Sequence, residues 1–191
     1  MSLVCLGLIG KNNEPLYLRD FITGDKKLDI SSNVIEDTLF DFVAAGVQAS
    51  HSSPFQCSLR HQFVLHSSVD RFEELTGPTV GNRWRTPGAV GCDAMWVGLL
   101  CPVEELRVYG YLTNTGIKIL AAIQDTFVLG QHQQQARESE LKSFFASIHH
   151  LFVEHTLNPF TKPDSKIISK RFDDGVKNYV TAFNRQNNIA D

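Results

Sequence analysis

The chain has 191 residues, room for one sizeable core but cramped for two full domains. A formal net charge of −3 gives no general electrostatic pull toward nucleic acid or anionic membrane. Hydrophobic content of 42% and charged content of 20% are those of an ordinary globular protein, so one domain over 1–191 is expected.

Leu3 to Ile9 is an apolar run interrupted only by Gly7, which suits a central strand buried on both faces. It is too short to cross a bilayer and has no basic lead-in, so neither a signal peptide nor an anchor is expected. Met1-Ser2 also lacks the glycine that myristoylation needs. Lys11 to Glu14 is a polar turn, and Pro15 opens a second strand, Leu16 to Phe21, that pairs back as an antiparallel hairpin. Ser31, Ser32 and Asn33 are N-cap candidates for a first helix carrying Ile35, Leu39, Phe42, Val43 and Gly46.

Residues 48–94 break the rhythm and read as a loop-like insertion, because so long a stretch without clear periodicity is unusual inside a compact domain. Within it, Phe63 to Leu65 suggests a short strand and Val69 to Leu75 a helical turn. Arg83-Trp84-Arg85 reads as a solvated loop in preference to a docking patch. Met95 to Cys101, Leu106 to Leu112 and Ile117 to Ile123 are three further strands. Pro102 to Glu105 and the Asn114-Thr115-Gly116 link form the turns between them. Gln131 to Gln134 reads as a flexible connector.

Leu141, Phe144, Phe145, Ile148, Leu151 and Phe152 follow at helical spacing and mark one buried face. Asn158 before Pro159 stops that helix, since a residue preceding proline is pushed out of the α region. Phe160, in the Pro-bounded link, is predicted to be a structural anchor buried between the last two helices and the sheet. A second stripe runs through Ile168, Phe172, Val176, Tyr179, Val180 and Phe183. The predicted order is β-β-α-β-β-β-α-α, an α+β fold in which helices cover one sheet.

Catalytic signals are missing from this pattern. Cys5, Cys57, Cys92 and Cys101 form no CxxC pair, and Cys5 and Cys101 lie in apolar runs where a free thiol acts as a small hydrophobe. Reduced thiols in a cytosolic setting are the simplest reading. His149, His150 and His155 diverge around their helix, His132 stands before it, and no HExxH occurs. Cys92 and Cys101 show no ligand spacing toward these histidines, so no metal site is expected. Gly7 and Gly10 are followed by Lys11-Asn12-Asn13 and not by a helix start, so no phosphate cradle forms. Glu36-Asp37, Glu73-Glu74, Glu104-Glu105 and Asp173-Asp174 are adjacent carboxylates that point to different faces. Tyr109 and Tyr111 read as packing under a helix and not as a base-stacking platform. Catalytic residues, cofactors and metal are therefore expected to be absent, and surfaces carry the function.

Several segments resemble one family. Trp96 to Pro102, the Val108-Tyr109-Gly110-Tyr111-Leu112-Thr113-Asn114 strand, Asn158-Pro159-Phe160 and Arg171-Phe172-Asp173 are similar to the sedlin branch of small TRAPP subunits. Lys11 to Tyr17 matches that family's first hairpin, and the likeness covers about 1–47 and 95–185. It implies a longin-like (SNARE-like) domain: a five-stranded antiparallel sheet with one helix on one face and two on the other. It also implies a non-enzymatic adaptor of the TRAPP tethering complex in ER-to-Golgi and Golgi transport. Such a subunit would be cytoplasmic and peripheral to those membranes, joining the small-subunit core to larger peripheral subunits. Rab exchange would belong to the assembled complex, so a Rab GTPase would be met only indirectly, with no nucleic acid and no membrane span. Asp37, in the first predicted helix, corresponds to the family's partner-facing acidic position. The alternative is a free-standing longin-type regulatory domain of a trafficking adaptor.

Overall fold

The computed structural model describes residues 2–21, 57–76, 95–124, 131–162 and 164–189, with side chains left aside at 131–135 and 188–189. In chain order these form β1 (Ser2–Ile9), β2 (Pro15–Asp20), α1 (Leu59–Thr76), β3 (Trp96–Val103), β4 (Leu106–Leu112), β5 (Lys118–Gln124), α2 (Gln131–Thr156) and α3 (Lys170–Ile189). The strands make one five-stranded antiparallel sheet in the order β2-β1-β5-β4-β3. β1 lies inside the sheet, as its apolar run predicts, and both of its faces are covered. Pro102 continues β3 past the predicted turn. On an edge strand its missing N–H costs no ladder bond, and the chain reverses at Glu104-Glu105 instead.

The sheet separates two cores. On one face Leu3, Leu6, Leu8, Tyr111, Ile119 and Ile123 pack against the stripes of α2 and α3. On the other, Cys5, Ile9, Leu18, Val108, Leu120 and Ala122 pack against α1, the one helix on that face among the described residues. The helices therefore divide one and two across the sheet.

The 48–94 expectation needs correction. Residues 59–76 are an 18-residue helix, not part of a loop-like insertion, and Val64, Leu65, Val69 and Phe72 are buried core. Phe63 to Leu65 is helical, not a strand. The stripe was masked by Ser68, which occupies a buried position on it and donates its hydroxyl to the Leu65 carbonyl at 2.6 Å. Two glycines let α1 sit close to the sheet. A Cβ on Gly110 would lie 2.8 Å from the Phe72 ring, and one on Gly7 would lie 2.9 Å from Leu65. The helix predicted over Ile35 to Gly46 lies outside the described residues. Gln131 to Gln134 is the first turn of α2 and not a connector.

Phe160 is the second correction. It is 92% exposed and anchors nothing. Asn158 closes the turn on itself, its side chain accepting from the Phe160 N–H at 3.1 Å and its carbonyl from the Thr161 N–H at 3.0 Å. That leaves the ring outside. The link is held instead by Ile167, which is buried and donates its N–H to the Leu16 carbonyl on β2 at 2.9 Å. The α3 stripe is Phe172, Val176, Val180 and Phe183 as predicted, while Ile168 lies ahead of the helix in solvent and Tyr179 is part-exposed.

Candidate interaction surfaces

Helix α1 begins at Ser58, whose hydroxyl accepts from the His61 N–H at 3.4 Å and whose own N–H donates to Asp20 Oδ2 at 2.8 Å. This fastens the helix start to the end of β2. Arg60 pairs with Glu104 of the β3–β4 turn, and Lys118 of β5 reaches Glu73 at 2.9 Å. Lys118, and then Asn13, hold the Glu73 carboxyl below its ordinary range. With the inner face sunk in the core, the outer face carries Leu59 at 77% and Phe63 at 70% exposure, one turn apart on an otherwise polar surface.

The second exposed apolar group lies across the sheet, at the α2–α3 link. Leu157, Phe160 and Ile168 all stand in solvent there. They adjoin a cleft of about 420 Å³ lined by Glu154, His155, Leu157, Asn158, Ser169 and Arg171, with Phe172 at its wall. Burial lowers the pKa of His155, whose ring lies 5.7 Å from that of Phe172. Ser169 accepts from the Phe172 N–H at 3.4 Å as the cap of α3. The His149 ring lies tilted against Tyr111 at 5.7 Å and His150 pairs with Glu154, so the two adjacent histidines point to different neighbours. This arrangement offers shape and apolar area, not a nucleophile with its base.

Asp37 lies outside the described residues. Sequence reasoning missed Leu59 and Phe63, because their helix went unseen. It also missed a grouping of Cys5, Asp20, Cys57 and His61 on the α1 side of the sheet, whose members are scattered over three elements. The Cys5 thiol is pushed up by its contact with Cys57 and then by burial. Burial alone would raise Asp20, yet contacts from His61, Cys57 and the Ser58 N–H outweigh it and draw the carboxyl down to about 2.

A sequence model of the sedlin family matches residues 8–182. The chain belongs to the sedlin family. Among similar proteins is "Trafficking protein particle complex subunit 2-like protein" of Dictyostelium discoideum, 32% identical over 94% of this chain and 96% of that protein. The Mus musculus protein of the same description is 25% identical over 89% of this chain and 91% of its own length. The "Transport protein particle 20 kDa subunit" of Schizosaccharomyces pombe is 23% identical over 87% and 88%. In this sedlin chain the motifs that carried the resemblance have structural work. Gly110 admits Phe72, and Tyr111 stacks on Phe145 with ring centroids 5.8 Å apart. Thr113 is buried, and its hydroxyl oxygen accepts from the Ile117 N–H at 2.9 Å to close the β4–β5 turn. Phe172 and Asp173 both seat α3 on Tyr17, by edge-on ring contact and by a 2.8 Å hydrogen bond. Among the described residues no helix is long and apolar enough to cross a membrane.

Proposed function

We propose that this chain is a non-enzymatic assembly subunit of the TRAPP tethering complex, joining its small-subunit core to larger peripheral subunits. The observation that carries the adaptor reading is the pair of exposed apolar groups on opposite sides of the sheet, Leu59 with Phe63 and Leu157 with Phe160 and Ile168. Exposed apolar clusters mark interaction surfaces, and a subunit that bridges two partners needs two of them. Each stable interface requires roughly 800 Å² per partner, to which an exposed aromatic ring contributes a central contact. Asp37 belongs beside the small-subunit contact, where a mismatched charge is costly. In this reading the subunit works in ER-to-Golgi and Golgi transport, cytoplasmic and peripheral to those membranes, and supports Rab exchange only through the assembled complex. Support comes from the names of the relatives.

Tagging the chain in its own cells and identifying what co-purifies tests the reading. TRAPP subunits in stoichiometric amounts are expected. Recovery as a lone monomer would favour a free-standing longin-type regulatory domain.

A further inference from the structure

Four side chains with metal-binding chemistry converge where α1 meets the β1–β2 hairpin. Cys5 on β1 and Asp20 at the end of β2 are cross-strand partners. Cys57 and His61 flank the start of α1, one helical turn apart, and so reach the same side. Cys5 Sγ and Cys57 Sγ are 3.4 Å apart, and ligand atoms of Cys5, Asp20 and Cys57 all lie within 4.8 Å of one another. His61 Nδ1 stands 2.9 Å from Asp20 Oδ2, and the two side chains are only 14% and 11% exposed. Cys5, Asp20 and Cys57 form the one such cluster among the described residues, and the His61 ring nitrogens stand beside it, outside that 4.8 Å limit.

Hydrogen bonding within the protein leaves two atoms of this group unsatisfied. Asp20 Oδ1 and His61 Nδ1 are both buried without a hydrogen-bond partner, although His61 Nδ1 stands 2.9 Å from Asp20 Oδ2. A buried carboxylate oxygen and a buried ring nitrogen left this way keep their desolvation penalty uncompensated. Native proteins rarely leave such atoms unsatisfied, and each demands an explanation.

We propose that Cys5, Asp20, Cys57 and His61 form a tetrahedral site for a thiophilic divalent cation of the zinc class. The geometry is close to what that ion needs. With metal–sulfur bonds of about 2.3 Å and metal–nitrogen or –oxygen bonds of about 2.0–2.1 Å, tetrahedral edges are about 3.7 Å between sulfurs and about 3.3 Å between nitrogen and oxygen. The spacings of 3.4 and 2.9 Å open to those values by a few tenths of an ångström, and the His61 ring must turn toward the thiols to complete the set. Two sulfurs exclude magnesium and calcium, which take oxygen, and favour zinc. Four protein ligands leave no open position, so the site is structural and not catalytic. Bound metal would pin the first turn of α1, the turn that carries Leu59 and Phe63, to the hairpin. The inference is independent of the proposed function.

The test uses the purified full-length chain, stripped with a chelator under reducing conditions and titrated with zinc or cobalt(II) alone. One cation per chain is expected, with a thermal midpoint that rises with zinc concentration. Cobalt should give thiolate charge-transfer absorption and the strong visible bands of a tetrahedral centre. Cys57→Ser should weaken binding by roughly a hundredfold or more and abolish the charge-transfer band from its sulfur. Cys101→Ser, on β3, should bind as the unaltered chain does. His61→Gln serves as a second variant if Cys57→Ser folds poorly, and it should lose affinity while keeping the thiolate absorption. Wild-type binding no tighter than that of both variants, or cobalt spectra without thiolate ligation, would overturn the proposal. A Cys5–Cys57 disulfide that persists under reduction and excludes metal would do the same.

Discussion

Ile167 donates its backbone N–H to the carbonyl of Leu16, 2.9 Å away, and so ties the α2–α3 link to the β2 edge. With that bond made and the Ile167 side chain buried, the link needs no second anchor, and Phe160 is released to solvent. Phe160→Ala is therefore expected to leave the denaturant midpoint unchanged. Ile167→Ala should cost about 2–5 kcal/mol. Equal losses in both variants would return the anchoring role to the Phe160 ring.

Helix α1 closes one whole face of the sheet. Phe72→Ala should cost about 3–5 kcal/mol in chemical denaturation, since the ring is fully buried against Gly110. Gly110→Val should cost about 1–3 kcal/mol by forcing that ring aside. Replacing 57–76 by a short Gly-Ser bridge should expose Val108, Leu120 and Ala122 and abolish cooperative unfolding. A bridged protein that still melted cooperatively would show the helix to be dispensable.

Much of this architecture was legible in the sequence, and the failures have physical causes. β1 announced itself because burial on both faces demands an unbroken apolar run. The α2 stripe was clear because Phe144, Phe145 and Ile148 are large and regularly spaced. α1 was missed because its buried face uses Ser68 as a spacer and its exposed face carries Phe63, which together blur the apolar period. Phe160 misled because an aromatic residue between prolines reads as an anchor, whereas the Asn158 side chain settles the turn locally. The thiol grouping was illegible, because cross-strand registry and a helix start bring its members together and no local spacing reveals them.

Two histidines set a pH dependence. Burial lowers the pKa of His149, with His150 adding to the effect, and burial lowers that of His155. As the pH falls below about 6.5, the unfolded chain takes up protons that these folded imidazoles resist. Stability should thus be retained above that range and lost progressively as the pH falls through it toward the folded values. Urea midpoints measured between about pH 7.5 and 5.5 should show this decline. The double variant His149→Gln with His155→Gln should flatten it. An identical slope in the variant would assign the dependence to other groups.

Asp37→Lys addresses the acidic residue proposed for the small-subunit contact. It should weaken capture of another small TRAPP subunit while leaving the circular dichroism spectrum and melting temperature of the isolated chain intact. Unaltered capture by this variant would move the contact away from Asp37.

The two-surface adaptor is tested most directly by purifying tagged Phe63→Asp and Phe160→Asp chains beside the unaltered one and quantifying every co-purifying subunit. Both side chains are exposed, so each variant should fold normally. The account predicts that Phe63→Asp loses the small-subunit core while keeping larger peripheral subunits, and that Phe160→Asp does the reverse. Retention of every subunit by both variants, or recovery of the unaltered chain alone, would contradict it.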